Sequence, residues 1–193
     1  MRWPLHRLRI MTTLMADFDL PDTMKLRPAP RPLIGNSEFR AALSAMASTV
    51  SIVTARRGDE RAGRTVTSVF SLAMNPPTIL ISIDIMSRLA DLIARTGGFS
   101  LSMLGVEQSR VADAFAGQVA QEQRFSEGKW EDWPSGHPRL LDAVTALDCD
   151  VIGAMETGTH VLFAGAIAEA ETTTGREPLI WQRRQYHGLS PLG

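Results

Sequence analysis

The order of the apolar periods constrains this chain most. "TVSIVTARR", "TILISID", "FSLSMLG" and the long run "ALDCDVIGAMETGTHVLFAGAIAEAET" are short-period and rich in β-branched residues, the pattern of strands. Between them stand three helical stretches, "NSEFRAALSAMAS", "SRLADLIAR" and "EQSRVADAFAG", each inserted singly. Roughly seven short strands with helices placed in this way do not alternate as βαβ units, which argues against a doubly wound sheet. The pattern implies a mainly β protein with α decorations, an antiparallel barrel of Greek-key type. An open α+β sheet is the alternative.

Local signals place the elements. Asn36 or Ser37 can cap the first helix, with Phe39, Ala42, Leu43 and Met46 on one face. "GDERAG" supplies turn chemistry, and a second strand from about Arg64 to Phe70 pairs with "TVSIVTARR" as a hairpin. In "SRLADLIAR", Leu89, Leu92 and Ile93 share a face, and Gly97-Gly98 ends the helix. Val111, Ala114 and Phe115 point inward from the third helix. Residues 118–138 read as a long loop with short turns, in which Trp130 and Trp133 cover a core edge or a dimer contact and His137 is a loop residue. "ETGT" is a tight turn, and "EPLIWQRRQYHGL" closes the domain as an edge strand.

Composition narrows the function classes. The 193 residues are 44% hydrophobic and 21% charged, with a net charge of −1. That suits one soluble domain and shows no nucleic-acid footprint. Cys149 is the only cysteine, so neither a disulfide framework nor a Cys/His zinc set exists, no metal site is expected, and the compartment is read as a reducing cytoplasm. Cys149 itself alternates inward in "LDCDV" as a small buried hydrophobe. No apolar run approaches the roughly 20 residues of a membrane helix. Residues 1–35 read as a Pro-rich extension, partly disordered or draped over a partner, and residues 36–193 as the folded domain. Arg7 and Arg9 interrupt any signal-peptide core, and Met11, Met15 and Met24 are alternative starts.

The stretch "GRTVTSVFSLAMNPP" carries the chemistry. Thr65, Thr67, Ser68 and Ser71 stand among apolar residues just before a proline pair. A buried hydroxyl without a partner costs about 1–3 kcal/mol, so these groups either face solvent and backbone or grip a polar ligand. Alternation puts Thr65 and Thr67 on one face and Ser68 on the other, and a bend after Ser68 brings both sets to one ligand. After the next strand, Asp84, Ser87 and Arg88 open a helix; Ser87 is an N-cap or an anion contact, and Arg88 adds countercharge.

From "FRAALSAMASTVSIVTARRGDERAGRTVTSVFSLAMNPPTILISID", together with "FSLSMLGVEQ", "VADAFAG", "RF", "GTHVLFAGAIAEAE" and "PLIWQRRQYHGL", residues 38–190 resemble the flavin reductases of two-component monooxygenases. The resemblance implies an FMN-binding split barrel and a homodimer with flavin near the subunit interface. It also implies an NAD(P)H-dependent enzyme that passes hydride to FMN or FAD and supplies reduced flavin to a partner monooxygenase. In that family the corresponding positions contact flavin, which implicates Thr65, Val66, Thr67, Ser68 and Ser71, then Asp84, Ser87 and Arg88. His160, in the family's G-x-H position, is the candidate catalytic residue and, with Phe125 and Tyr186, the candidate nicotinamide contact. Arg183 and Arg184 are candidates for the 2′-phosphate of NADPH. Departures from the family pattern are the missing glycine beside Thr49, Ala73 for a serine, Leu89 for a threonine and Ser102 for an asparagine. They leave FMN against FAD open. The alternatives are a flavin-carrying split-barrel protein without an efficient nicotinamide site and, more remotely, an oxidase of a pyridoxine-type vitamer.

Overall fold

Strands β1 (Ser48–Thr49) and β2 (Ser51–Arg57) take up the first β-branched run. β2 forms a hairpin with β3 (Glu60–Val66), Ser51 opposite Val66 and Arg57 opposite Glu60. Gly58, at φ 59°, and Asp59 close the turn, which is shorter than "GDERAG" suggests; a two-residue hairpin loop needs such a left-handed residue. The computed structural model describes residues 29–191, so the expectations for residues 1–28 lie outside the described residues.

The strand expected from Arg64 to Phe70 is split. β3 stops at Val66, Thr67 and Ser68 lie in no strand, and β4 (Val69–Met74) pairs instead with β5 (Pro77–Asp84). With β6 (Gly98–Met103), β9 (Thr145–Glu156) and β10 (His160–Thr172), these strands make one seven-stranded antiparallel sheet in the order β3-β2-β6-β9-β10-β5-β4. β3 and β4 therefore stand at opposite ends of the sheet although only Thr67 and Ser68 join them. The three chain steps from Val66 to Val69 span at most about 11 Å, so the sheet must roll until its ends approach. That closure is the split barrel.

Inside it, Val53, Ile81, Ile83, Phe99, Leu101 and Phe163 are buried. Helix α1 (Asn36–Leu43) precedes β1, and α2 (Arg88–Thr96) buries Leu89, Leu92 and Ile93 against the barrel. Each fully buried side chain of this size contributes about 1.5–3 kcal/mol. Gly97, at φ 71°, ends α2 as expected. A second core lies outside β2. There Val50, Ile52, Leu104, Phe115, Leu140 and Leu179 pack beneath α3 (Ser109–Asp113) and the π turn Ala114–Gln118. Residues 118–138 contain a 3-10 turn (Gln121–Ser126) and a small hairpin, β7 (Trp130–Asp132) with β8 (Pro138–Leu140). β11 (Ile180–Gln182) pairs with β1 and with β12 (Gln185–His187).

Several local expectations change. The cap of α1 is Gly35, not Asn36 or Ser37, and Glu38 Oε2 accepts the Gly35 N–H at 3.0 Å. The expected apolar face of α1 is uncovered, with Phe39 54% and Met46 58% exposed. His137 is not a surface loop residue: it is buried, and its Nδ1 accepts the Arg56 N–H at 3.2 Å. Trp133 is buried and donates from Nε1 to Ser100 Oγ at 2.9 Å. Arg183 and Arg184, at φ 49° and 63°, form the β11–β12 turn rather than part of a strand. Cys149 is buried, which pushes its thiol up to about 12. Among the described residues no helix is long and apolar enough to cross a membrane, and no cluster of three His, Cys, Asp or Glu is placed to hold a metal.

Candidate functional site

The end of β3 forms one wall of a groove of about 230 Å³, lined by Arg64, Thr65, Val66 and Thr67 and faced by Trp181 and Tyr186. The β11–β12 hairpin holds those aromatics in place. Thr49 pairs with Ile180, the two rings meet edge to face at 4.9 Å, and the Tyr186 hydroxyl donates to Asp113 Oδ1 at 2.8 Å. Burial, and then the Asp113 carboxylate, push the Tyr186 pKa well up, so the phenol keeps its proton. Thr65 does not offer its hydroxyl to a ligand; it donates to the Ala112 carbonyl at 2.6 Å and ties β3 to α3. The Thr67 and Ser71 hydroxyls are exposed and have no partner among the described residues. Val66 is buried with the barrel core.

From the groove the chain passes to Ser68, whose hydroxyl donates to the Ser82 carbonyl at 3.1 Å while its carbonyl accepts the Ser82 N–H. Ser82 lies two residues before Asp84, and Asp84 is opposite His160 across β5 and β10. Asp84 accepts the Met86 N–H at 2.8 Å, and Ser87 caps α2 by accepting the Ala90 N–H at 3.1 Å. His160 is exposed, and its Nδ1 lies 2.9 Å from Thr159 Oγ1, which leaves Nε2 directed elsewhere. The two-residue link between β3 and β4 thus connects the aromatic groove with the end of β5 at Asp84, beside His160 of β10 and shortly before Ser87 at the start of α2. Ser71 lies away from that end: it pairs with Ile79, five residues before Asp84, about 17 Å along a strand.

Two residues named from the sequence are engaged elsewhere. Phe125 packs between Phe115 and Trp130 at 5.0 Å from each, with the Arg61 guanidinium 4.3 Å above its ring. Arg88 pairs with Glu60 at 3.1 Å, and Glu60 also takes Arg95 at 2.8 Å. These two arginines hold the Glu60 carboxyl below its usual range, Arg95 foremost. The groove also contains residues that sequence reasoning passed over: Arg64, Val50, Ala116 and Trp181. Arg64 and Trp181 stand inside the quoted motifs, one residue before Thr65 and in "PLIWQ", and could have been found there.

The donor set fits a flavin. Apolar Val66, Ala116 and Trp181 suit a flat ring, and Thr67, Tyr186 and neighbouring backbone suit its polar edge. Residues 43–190 match the model of the flavin reductase like domain. The chain belongs to the flavin reductase family. The reductase component of an FADH(2)-dependent resorcinol hydroxylase from Rhizobium sp. (strain MTP-10005) is 34% identical over 157 residues, which span 80% of this chain and 88% of that one. An FMN reductase (NADH), RutF, from Ancylobacter novellus is 34% identical over 163 residues, 84% of this chain and 90% of that protein. The solved structure of the styrene monooxygenase flavin reductase from Pseudomonas putida S12 superposes with a TM-score of 0.72 at 25% identity, over 81% of this chain and 99% of that one. The rolled antiparallel sheet is therefore the split barrel of this family.

Proposed function

We propose that this chain is an NAD(P)H-dependent flavin reductase that supplies reduced FMN or FAD to a partner monooxygenase, with residues 36–193 as the catalytic domain. The observation that carries the reading is the single contiguous path from the Thr65–Thr67 groove through Ser68 to Asp84, Ser87 and His160, in a fold of the matching family. A bound flavin supplies the hydride acceptor and a nicotinamide the donor, so no Ser/His/Asp constellation is needed. The chain's own residues bind and orient. Thr67 and Ser68 offer hydroxyls to the ribityl chain, Ser71 stands too far along β4 to join them, and Val66 and Trp181 shield the ring from water. Tyr186 stays a proton donor. His160 turns Nε2 toward the nicotinamide amide or a phosphate, and Ser87 with the start of α2 borders the same end. Phe125 supports the groove from below rather than stacking on a ligand.

We also propose a homodimer in a reducing cytoplasm. On β4, Phe70, Leu72 and Met74 are 62%, 48% and 91% exposed, a bulge after Ser71 presents them across the strand, and β4 is a sheet edge. An apolar edge strand of this kind is a pairing surface unless something covers it, and a second copy of the chain is the covering we infer. Sedimentation equilibrium should give twice the chain mass, and Met74→Lys should shift it toward the monomer.

The reductase reading is tested by following NADH and NADPH oxidation at 340 nm with FMN, FAD or riboflavin added. Flavin-dependent oxidation is expected. Tight flavin binding with no oxidation of either nucleotide would favour the carrier alternative instead.

A further inference from the structure

Helix α1 does not rest on the chain that carries it. Every residue from 29 to 47 is exposed except Ser44, and none of the helix is buried. Two bonds tether its end: the Arg183 N–H donates to the Ser44 carbonyl at 2.7 Å, and Gln182 Nε2 donates to the Ala45 carbonyl at 2.9 Å. The stretch is nevertheless apolar. Leu33 and Ile34 are exposed, and Phe39, Leu43 and Met46 follow one another at the spacing of a single helix face. An isolated helix shorter than about 12–15 residues is marginal in water, and this one has 8 residues. Its order requires a surface that its own chain does not supply.

A matching surface lies on the sheet. Ile79, Ile81 and Ile83 are buried in the barrel, so by alternation Leu80 and Ser82 point outward. The register carries that outward face across four strands. Phe70 is opposite Leu80 and Leu80 opposite Ala164, while Ser82 is opposite Leu162 and Leu162 opposite Met155. Antiparallel sheets commonly turn a polar face to water, but these outward residues are mostly apolar and none is fully buried. A helix laid on a sheet is a standard pair of layers. Resting on the homodimer reading, we propose that α1 of one copy docks on the outward face of β4, β5, β10 and β9 in a second copy, and the second copy's α1 on the first. A two-fold axis makes both contacts at once. The exposed apolar residues of the arm and of β4 offer on the order of 900 Å² per copy, against roughly 800 Å² per partner in a standard interface. The face continues the exposed edge at Phe70, Leu72 and Met74 and ends in Asp84 and His160, so the docked helix lies beside the candidate site.

Photocrosslinking and sedimentation test the contact without turnover. A benzophenone-bearing phenylalanine replaces Phe39 in the full chain, and isotopically heavy copies are mixed with light ones, so that mass spectrometry separates links between copies from links within one. Links between copies, from position 39 to β4, β5, β10 or β9, are expected. Links confined to one copy, links to α1 of the other copy, or none would overturn the docking. In sedimentation equilibrium, Phe39→Ser combined with Leu43→Ser should raise the dimer Kd tenfold or more. Ala41→Ser, on the far side of α1, should leave it unchanged. Both variants should keep the β-rich circular dichroism of the barrel, since none of these positions is buried. A double variant within twofold of wild type, or a Kd moved equally by Ala41→Ser, would overturn the helix contact and leave the dimer to the β4 edge. A wild type that stays monomeric at every concentration would remove the homodimer reading and the docking with it, while NAD(P)H oxidation by that monomer would leave the reductase reading standing.

Discussion

Lowering the pH from 7 to 5 should loosen the β7–β8 hairpin through His137. The imidazole is 5% exposed, and its Nδ1 accepts the Arg56 N–H, so the native ring is neutral with its proton on Nε2. Protonation would turn Nδ1 into a donor facing a donor. Burial pushes the His137 pKa below its ordinary 6.5, while the nearby carboxylates of Asp148 and Asp150 pull it partly back. The sign follows: below about pH 6.5 the unfolded chain takes up a proton that the native ring resists, so stability falls as the pH drops toward the native pKa. One group contributes at most about 1.4 kcal/mol per pH unit, hence at most about 2 kcal/mol between pH 6.5 and 5. For a domain of this size that lowers Tm by roughly 4–8 °C. Asp148, 5% exposed and accepting the Ser135 hydroxyl at 3.0 Å, works the other way at lower pH. Its burial raises its pKa above 3.8, so its protonation favours the native state as the pH falls through that raised value. Circular dichroism melts of wild type and His137→Gln between pH 7 and 4.5 read the difference, since the exposed His160 and His187 are common to both. Wild type should lose Tm more steeply below pH 6.5. Parallel curves would refute the reasoning.

Other substitutions test the site's supports. Gly63→Ala places a Cβ 2.5 Å from Phe115 Cε1 and 3.1 Å from Thr54 Cγ2; this overpacking should cost about 1–3 kcal/mol, read as a lower urea midpoint at unchanged m. Tyr186→Phe removes the donor to Asp113 and should cost about 1.5–3 kcal/mol, measured in the same way. Ser87→Ala deletes the cap of α2 and should cost about 1 kcal/mol in a thermal melt. Ser68→Ala should raise the flavin KM while the fold is retained and Ser71→Ala should not, a lost hydrogen bond to ligand being worth roughly 1–3 kcal/mol; an unchanged KM for Ser68→Ala would assign that hydroxyl to the barrel.

Much of the fold was legible because its signals are local. The β-branched run of β2, the inward face of α2 and its Gly97 stop, and the long β9 and β10 strands separated by "ETGT" can all be read from period and turn chemistry. The break at Thr67–Ser68 was not, because threonine and serine suit strands and bends alike; what decides it is the pairing of β4 with β5, a contact made by tertiary closure. The exposure of Phe39 and Met46 was equally hidden, since an apolar helical face reads the same whether it meets its own core or another chain. His137 reads as a loop residue because Gly136 and Pro138 mark a loop, while nothing local reveals that the loop folds back over β2 and buries the ring. At the site, the hydroxyl-rich stretch and the aromatic hairpin were visible, but their meeting across the groove depends on the pairing of β1 with β11. The engagement of Thr65 by Ala112 and of Arg88 by Glu60 depends on neighbours 47 and 28 positions away.

A crystal structure with FMN bound tests the central claim most directly. The account predicts the isoalloxazine against Val66, Thr67 and the Trp181–Tyr186 wall, with its ribityl chain running past Ser68. FMN seated in any other part of the barrel, with this groove empty, would contradict it.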